Sequence, residues 1–308
     1  MTTDRQQITH PDKVLYPGPG VTKERFAAYL EQVAEVMLPH LAGRPLVQHR
    51  FPDGVEQPGF YQKQVSAQAP DVVDTIDVHA DTRRGHVEHV VADDVETLRY
   101  LANQACLELH RWLSRSDDLD VPDLLVVDLD PPERGDLGDL RHAVRAARDL
   151  LDEIGLVPHL MATGSSGYHV VAPLERGEGF DEVRALARAV ADRLAAADPD
   201  RLTVEQRVAA RGNRIFLDTN RNAYAQTAIA PYSPRARPEP TVATPIEFPE
   251  LGKVRPDGYD LAGVLRRLAR KDDPWADIHA HTVPAVQARR ALETMEPRSE
   301  GASWAEGP

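Results

Sequence analysis

The run Leu124-Leu125-Val126-Val127-Asp128-Leu129-Asp130-Pro131-Pro132 constrains this chain more than any other stretch. Four apolar residues in a row read as a buried strand, and the strand ends in two carboxylates one residue apart. Side chains alternate faces along a strand, so Asp128 and Asp130 share one face while Leu129 takes the other. The two prolines stop the strand because they lack the N–H that a ladder bond needs. Two like charges held side by side repel unless a cation lies between them. Hard oxygen ligands on a rigid strand end are how a divalent-metal site for phosphoryl chemistry is built. A bare Asp-x-Asp also fits an ordinary turn closing a strand, so the metal reading needs further pieces.

Two more pieces lie downstream. Leu160 to Val171 reads as strand, Gly/Ser loop, strand, with the loop Thr163-Gly164-Ser165-Ser166-Gly167 at its centre. Glycines let backbone approach an anion closely, and the Thr and Ser hydroxyls with the loop N–H groups supply donors. His169, at the start of the second strand, adds a possible donor to a triphosphate. No Lys-Ser or Lys-Thr follows the glycines, so this is not a Walker loop, and a plain hairpin fits as well. The third piece, Arg214-Ile215-Phe216-Leu217-Asp218, is another short apolar strand ending in a carboxylate.

At 308 residues the chain can bury a large core, as one domain or two packed modules. No stretch approaches the roughly 20 apolar residues of a membrane span, and no signal-peptide pattern opens the sequence. The single cysteine, Cys106, excludes an internal disulfide and a Cys-rich zinc site. A reducing cytoplasm fits that usage. The net charge of −13 argues against indiscriminate nucleic-acid binding but leaves room for a locally basic groove.

Hydrophobic periodicity predicts helices over 22–38, 95–113, 137–154, 181–197 and 259–270. The helix over 95–113 would carry Leu98, Leu101, Ala105, Leu109 and Trp112 on one face, with Cys106 as a small core residue. Extended segments are expected at Pro45–Arg50, Phe60–Lys63 and Val72–Val78. Loops should dominate the proline-rich stretch 231–256, and a polar tail over 296–308 should be disordered. Strands alternating with helices indicate a mixed α/β (α+β) protein. His86 to His89 lacks further ligands and reads as a surface loop, as do His279 and His281.

Taken together, these residues resemble the polymerase domain of bacterial non-homologous end-joining ligase D, a branch of the archaeo-eukaryotic primase superfamily. The motifs are Ile8 to Pro17, Thr22-Lys23, Phe60-Tyr61-Gln62-Lys63, Glu108-Leu109-His110, Asp128 to Pro131, the Gly164-to-His169 loop, Asp218, and Ala230 to Arg237. The similarity runs from about residue 8 to 280, within a primase-polymerase domain over 1–295. The resemblance implies an RRM-like catalytic sheet packed on a smaller N-terminal α/β module, with a cleft between them. It implies that Asp128, Asp130 and Asp218 hold two Mn²⁺ or Mg²⁺ ions for attack of a primer 3′-hydroxyl on a nucleoside triphosphate. It assigns Thr163, Ser165, His169, Arg211, Arg235, His110 and His49 to the nucleotide, whether NTP or dNTP.

Lys13 and Lys23 match residues that grip the 5′-phosphate of a DNA end. Phe60 and Tyr61 match aromatics that pack against template, with Lys63 facing phosphate. From the residues alone, the two aromatics would lie in the core and the two lysines would be plain surface residues. The chain departs from the family where Ser166 and His49 replace common lysines, Thr163 a common serine and Arg221 a common glutamine. The missing cations are expected to bear on triphosphate affinity or sugar preference.

The expected function is template-directed nucleotidyl transfer that fills gaps or extends DNA ends, favouring ribonucleotides. The expected form is a monomer without its own ligase, cooperating with a separately encoded ligase and with Ku. Two other classes use parts of the same pattern: a non-catalytic DNA-end-binding scaffold, and a two-metal nuclease or phosphohydrolase.

Overall fold

The computed structural model describes residues 7–79 and 85–296. All but the first residue of the tail expected to be disordered therefore lies outside the described residues. The chain divides into two compact units. One is assembled from Met1–Leu119, Thr227–Thr244 and Tyr259–Ala276, and the other from Asp120–Gln226, Pro245–Gly258 and Asp277–Pro308. The first unit is thus not one N-terminal block, because later segments return to complete it.

In the first unit a four-stranded antiparallel sheet runs in the order Thr227–Ile229, Cys106–Trp112, Leu46–Arg50, Phe60–Gln62. The helix Lys23–Leu41 is started by Thr22, whose hydroxyl accepts from the Arg25 N–H. It buries Phe26, Tyr29, Leu30, Val33 and Met37 in one core with Leu98 and Leu101 of the helix Val95–Asn103. Asp273 lies at the centre of a buried polar cluster, accepting from the Tyr232 hydroxyl (2.7 Å) and meeting His40 Nε2 at 2.8 Å. Burial holds the His40 pKa below its ordinary value despite that acidic partner.

One expected helix fails. The periodicity over 95–113 is helical only to Asn103; the chain then turns through Ala105 at φ +52° and becomes the strand Cys106–Trp112. That strand is paired on both sides, with Leu46–Arg50 and with Thr227–Ile229. Partners so far off in sequence leave no mark on local periodicity, and they override propensity. Cys106 is a strand residue, fully buried, and its thiol pKa is pushed well up by burial. The stretch His86–Val90 is likewise a strand, paired with Thr75–His79. His89 is buried there with Nδ1 at 3.0 Å from the Leu46 carbonyl oxygen, so it belongs to the interior rather than the surface.

In the second unit the elements follow as strand Leu124–Asp130, helix Leu137–Glu153, strands His159–Ala162 and Tyr168–Glu175, helix Phe180–Ala197 and strand Ile215–Asp218. Numbered in chain order, these four strands lie in the sheet as 4-1-3-2, all antiparallel neighbours. This is the βαββαβ arrangement of an RRM-like sheet. The two helices pack on each other and on the Leu124–Asp130 strand, so they share one face. Leu129 and Leu217, opposite each other in register, are buried and alternate with the carboxylates of the other face. A helix Ala285–Thr294 was not expected; its apolar face is only Ala285, Ala288 and Leu292, too sparse for a clear period.

Ladder pairing between the strands of Asp218 and Asp128 ends with those two residues, because the chain then enters the 3₁₀ turn Asn220–Asn222. The fully buried Asn222 side chain continues the ladder in place of backbone. Its Oδ1 accepts from the Val126 N–H (2.8 Å) and its Nδ2 donates to the Val126 carbonyl oxygen (2.7 Å). Asn222→Ala leaves both groups without partners, and the expected loss is about 2–4 kcal/mol by denaturant unfolding. Asn222→Asp keeps the acceptor but loses the donor, and should also be destabilised.

Candidate active site

The acidic cluster is a row across the sheet. Asp218 stands opposite Asp128, Asp128 opposite His169, and His169 opposite Met161. Directly opposed side chains in such a ladder have Cβ atoms about 4.5–5.5 Å apart. Asp130, two residues beyond Asp128 on the same face, stands opposite Phe216. One carboxylate oxygen from each of Asp128, Asp130 and Asp218 lies within 4.8 Å of the others. Three acids separated by up to 90 positions in sequence therefore converge.

Their environments differ. Burial disfavours the charge on Asp128, but two neighbours outweigh it: His169 Nε2 lies 3.3 Å from Oδ1 and Arg221 Nε 3.3 Å from Oδ2. The net effect holds Asp128 below the usual carboxylate range. Asp130 goes the other way, pushed up to about 6 by burial and then by the charges of Asp128 and Asp218. Asp130 is thus the residue on which the unrelieved repulsion falls. A cluster of oxygen donors with surplus negative charge fits a hard divalent cation of the Mg²⁺ or Mn²⁺ kind.

The glycine loop lies against the same strand. A Cβ on Gly167 would overlap the Leu129 carbonyl oxygen, so only glycine allows this approach. Gly164 turns at φ +69° and donates its N–H to the Pro256 carbonyl (2.9 Å). The Thr163 hydroxyl shapes the loop from within, donating to the Gly167 carbonyl (2.7 Å) and accepting from the Ser165 N–H (3.3 Å). His169 Nδ1 is buried and has no hydrogen-bond partner among the described residues. The Arg211 guanidinium stacks 3.6 Å over the Phe216 ring and is fixed by the carbonyls of Glu205 and Gln206. Arg221 completes this set; three residues beyond Asp218, it was visible in sequence only as a departure from the family.

The remaining expected residues fall in the first unit. His49 stands opposite Glu108 on one side and Tyr61 on the other, while His110 lies two residues beyond Glu108 on the same face. Glu108 gathers three hydrogen-bonding nitrogens and one ion-pair partner. Oε2 meets His49 Nδ1 (2.8 Å) and His110 Nε2 (3.3 Å), while Oε1 accepts from the Ala236 N–H (2.9 Å) and meets Arg235 Nε (3.0 Å). Burial opposes its charge, but the two histidines and Arg235 prevail and hold its pKa far below the usual range. Glu108 was visible in sequence only as part of a motif.

Phe60 and Tyr61 are 47% and 62% exposed, so neither is a core residue. His49 stacks on Tyr61 at 4.0 Å, and the Arg50 guanidinium lies 5.5 Å over Phe60. Lys63 is exposed beside them. Lys13 is paired with Asp53 at 2.8 Å. Lys23 is buried rather than a plain surface residue, and its Nζ donates to the Thr9 carbonyl (2.9 Å) and hydroxyl (3.1 Å). Its pKa is lowered by burial and then by the neighbouring charges of Lys13 and Arg50.

A βαββαβ sheet with an acidic triad on the face away from its helices is a fold of the primase-polymerase type. The family described as the LigD primase-polymerase domain matches residues 22–275, and the chain belongs to it. The multifunctional non-homologous end joining DNA repair protein LigD of Mycobacterium tuberculosis is 39% identical over 309 residues, covering 95% of this chain and 40% of that protein. The bifunctional non-homologous end joining protein LigD of Bacillus subtilis is 30% identical over 275 residues, covering 89% of this chain and 44% of that one. The chain therefore spans less than half the length of these curated relatives. Among solved structures, the polymerase domain from Mycobacterium tuberculosis ligase D in complex with DNA superposes with a TM-score of 0.83 at 36% identity, over 90% of this chain and 99% of that one. No helix among the described residues is long and apolar enough to cross a membrane.

The raised Asp130 pKa gives a signed expectation for the metal-free protein. A carboxyl whose folded pKa lies above its unfolded value contributes stability that is present at low pH and lost as pH rises through the folded value, here about 6. In the presence of a chelator, Asp130→Asn should therefore be more stable than wild type at pH 8, by roughly 1–3 kcal/mol. The difference should shrink below pH 6 and vanish near pH 4, as read by thermal unfolding across that range. Equal stability at pH 8 would contradict the repulsion described here.

Proposed function

We propose that this chain is a template-directed nucleotidyltransferase that fills gaps or extends ends during repair of broken DNA, favouring ribonucleotides. The observation that carries the proposal is the convergence of Asp128, Asp130 and Asp218 on one face of the sheet, in a chain of the LigD primase-polymerase family. These three carboxylates would hold two divalent ions, Mn²⁺ or Mg²⁺, which supply activation of a primer 3′-hydroxyl and charge neutralisation on the triphosphate.

The protein's own share is positioning and electrostatics. His169 keeps Asp128 ionised and turned into the row, and its buried Nδ1 is placed to bond a ligand oxygen. Arg211, held flat on Phe216, and Arg235, held by Glu108, present guanidinium forks to phosphate. Ser165 and the loop N–H groups add donors, with Thr163 bracing the loop that offers them. His49 and His110, oriented by one carboxylate, complete the nucleotide set. The solved relative is a complex with DNA, and two features of this chain suit the same ligand. Lys13, Lys23 and Arg50 form a crowded cationic group that an anionic 5′-phosphate relieves. Exposed Phe60 and Tyr61 offer stacking faces beside Lys63, where a stacked base contributes about 1–3 kcal/mol. Ku and a separately encoded ligase are the partners such an activity would serve, with the protein acting as a monomer at the nucleoid in the cytoplasm.

Primer extension across a gapped duplex with a downstream 5′-phosphate, with Mn²⁺ and each nucleotide class, tests this. Wild type should lengthen the primer, faster with NTPs, and Asp128→Ala or Asp218→Ala should lose about 10²-fold or more. Shortened products would assign a nuclease, and tight gap binding without extension under either metal would assign a scaffold; both outcomes overturn the proposal. In the same assay, Lys23→Ala should erase the preference for a phosphorylated over an unphosphorylated gap while leaving extension of a simple primer-template intact.

A further inference from the structure

We propose that His49, Glu108 and His110 form a second metal site, built for a borderline transition ion of the Zn²⁺ class and chemically distinct from the aspartate cluster. The three residues project from one face of a sheet. Glu108 and His110 are two apart on the strand Cys106–Trp112, and His49 is the cross-strand neighbour of Glu108. Their ligand atoms all lie within 4.8 Å of one another. Two imidazole nitrogens, Nδ1 of His49 and Nε2 of His110, aim at a single oxygen, Oε2, at 2.8 and 3.3 Å. Two ring nitrogens and one carboxylate oxygen thus stand close enough to share a cation, once rotation of the rings turns their lone pairs from that oxygen toward it.

The distances suit a metal. Ligands about 2.0–2.1 Å from a tetrahedral ion stand about 3.3 Å from each other. His110 to Glu108 already meets that value, and His49 to Glu108 needs to open by only a few tenths of an ångström. His2Glu with an open fourth position is an established zinc donor set, and the fourth position would take water or an anionic oxygen. The second oxygen of Glu108 is fixed by the Ala236 N–H and by Arg235, which orients the carboxylate as outer partners do in metal centres. Arg235 also cancels part of the carboxylate charge. That favours an ion bound through nitrogen over a hard ion bound by charge alone, so Mg²⁺ should be a poor occupant. The ring of His49 is held in place by its 4.0 Å stack on Tyr61, and both histidines keep some solvent access, at 17% and 14%.

The inference does not depend on the proposed activity, and its test needs no turnover. The full chain, stripped with chelator, is titrated with Zn²⁺ while imidazole ¹⁵N signals are followed by NMR. One equivalent should shift the signals of His49 and His110, while a matched addition of Mg²⁺ should not move them. His49→Lys keeps a cation opposite Glu108 but removes a ligand, and should weaken Zn²⁺ binding in chelator competition by about 100-fold or more. Asp128→Asn should leave that affinity within about 3-fold, because Asp128 belongs to the other cluster. Imidazole signals of His49 and His110 that ignore Zn²⁺, or a His49→Lys affinity equal to wild type, would overturn the site whatever the primer-extension result.

Discussion

Three carboxylates on one face of a sheet repel one another, and much of the second unit is organised to keep them there without a bound cation. The register Asp128–Asp218 is fixed because the opposite face is apolar: Leu129 and Leu217 are buried in the same register. A slip by one residue would turn both leucines outward and drive the acids into the core. The Asn222 side chain clamps Val126 where the backbone ladder stops, and so fixes the turn that carries both Asp218 and Arg221. His169 and Arg221 bond the Asp128 carboxylate directly and favour its charge, while Asp130 is left with a raised pKa. The repulsion is thereby concentrated on one residue, a strain stored at the site and supported by packing elsewhere.

How much of this was legible in sequence depended on whether the cause was local. Asp128 and Asp130 on one face follow from strand alternation alone, and the helices Leu137–Glu153 and Phe180–Ala197 from their apolar period. The strand Cys106–Trp112 was read as helix because Leu98, Leu101, Ala105, Leu109 and Trp112 satisfy a 3.6-residue period. What makes it a strand is pairing with segments some 60 residues before and 120 after. The same blindness hid Glu108. Of its partners only His110 is local; His49, Arg235 and Ala236 come from distant parts of the chain. Phe60 and Tyr61 failed in the opposite sense: composition favours burying aromatics, and only the resemblance assigned them to DNA. His89 was misplaced because its own stretch, His86–His89, read as loop; its pairing with Thr75–His79, in a segment expected to be extended, leaves no local mark.

Both clusters use one device, a row of side chains across antiparallel strands. In the second unit the row is Asp218–Asp128–His169, and in the first it is Tyr61–His49–Glu108 with His110 beside it. A sheet centre is a rigid place to hold ligands, and the strands that carry Asp218, Asp128, His169, His49 and Glu108 are each bonded on both sides, whereas Tyr61 stands on an edge strand. The chemistry differs because the donors differ. An all-oxygen cluster would favour hard ions, whereas two imidazoles around one carboxylate oxygen would favour the softer ion proposed above.

The acidic balance of the chain is compatible with a DNA ligand once charge is considered locally. The net charge of −13 is a sum over the whole surface, and it bears on solubility and on steering at a distance greater than the Debye length, about 10 Å at 0.1 M salt. Within that distance the local field decides. Lys13, Lys23 and Arg50 crowd closely enough for each to disfavour the charge on Lys23, and that lysine is buried with its ammonium fixed by Thr9. Asn103 in turn accepts from both the N–H and the hydroxyl of Thr9, at 3.0 and 2.9 Å. A cation held in place by its own scaffold loses little entropy on meeting an anion, which favours a single discrete phosphate over a diffuse backbone. An acidic protein with a preorganised cationic group of this kind is compatible with the proposed grip on a DNA-end phosphate, which needs no broad basic surface.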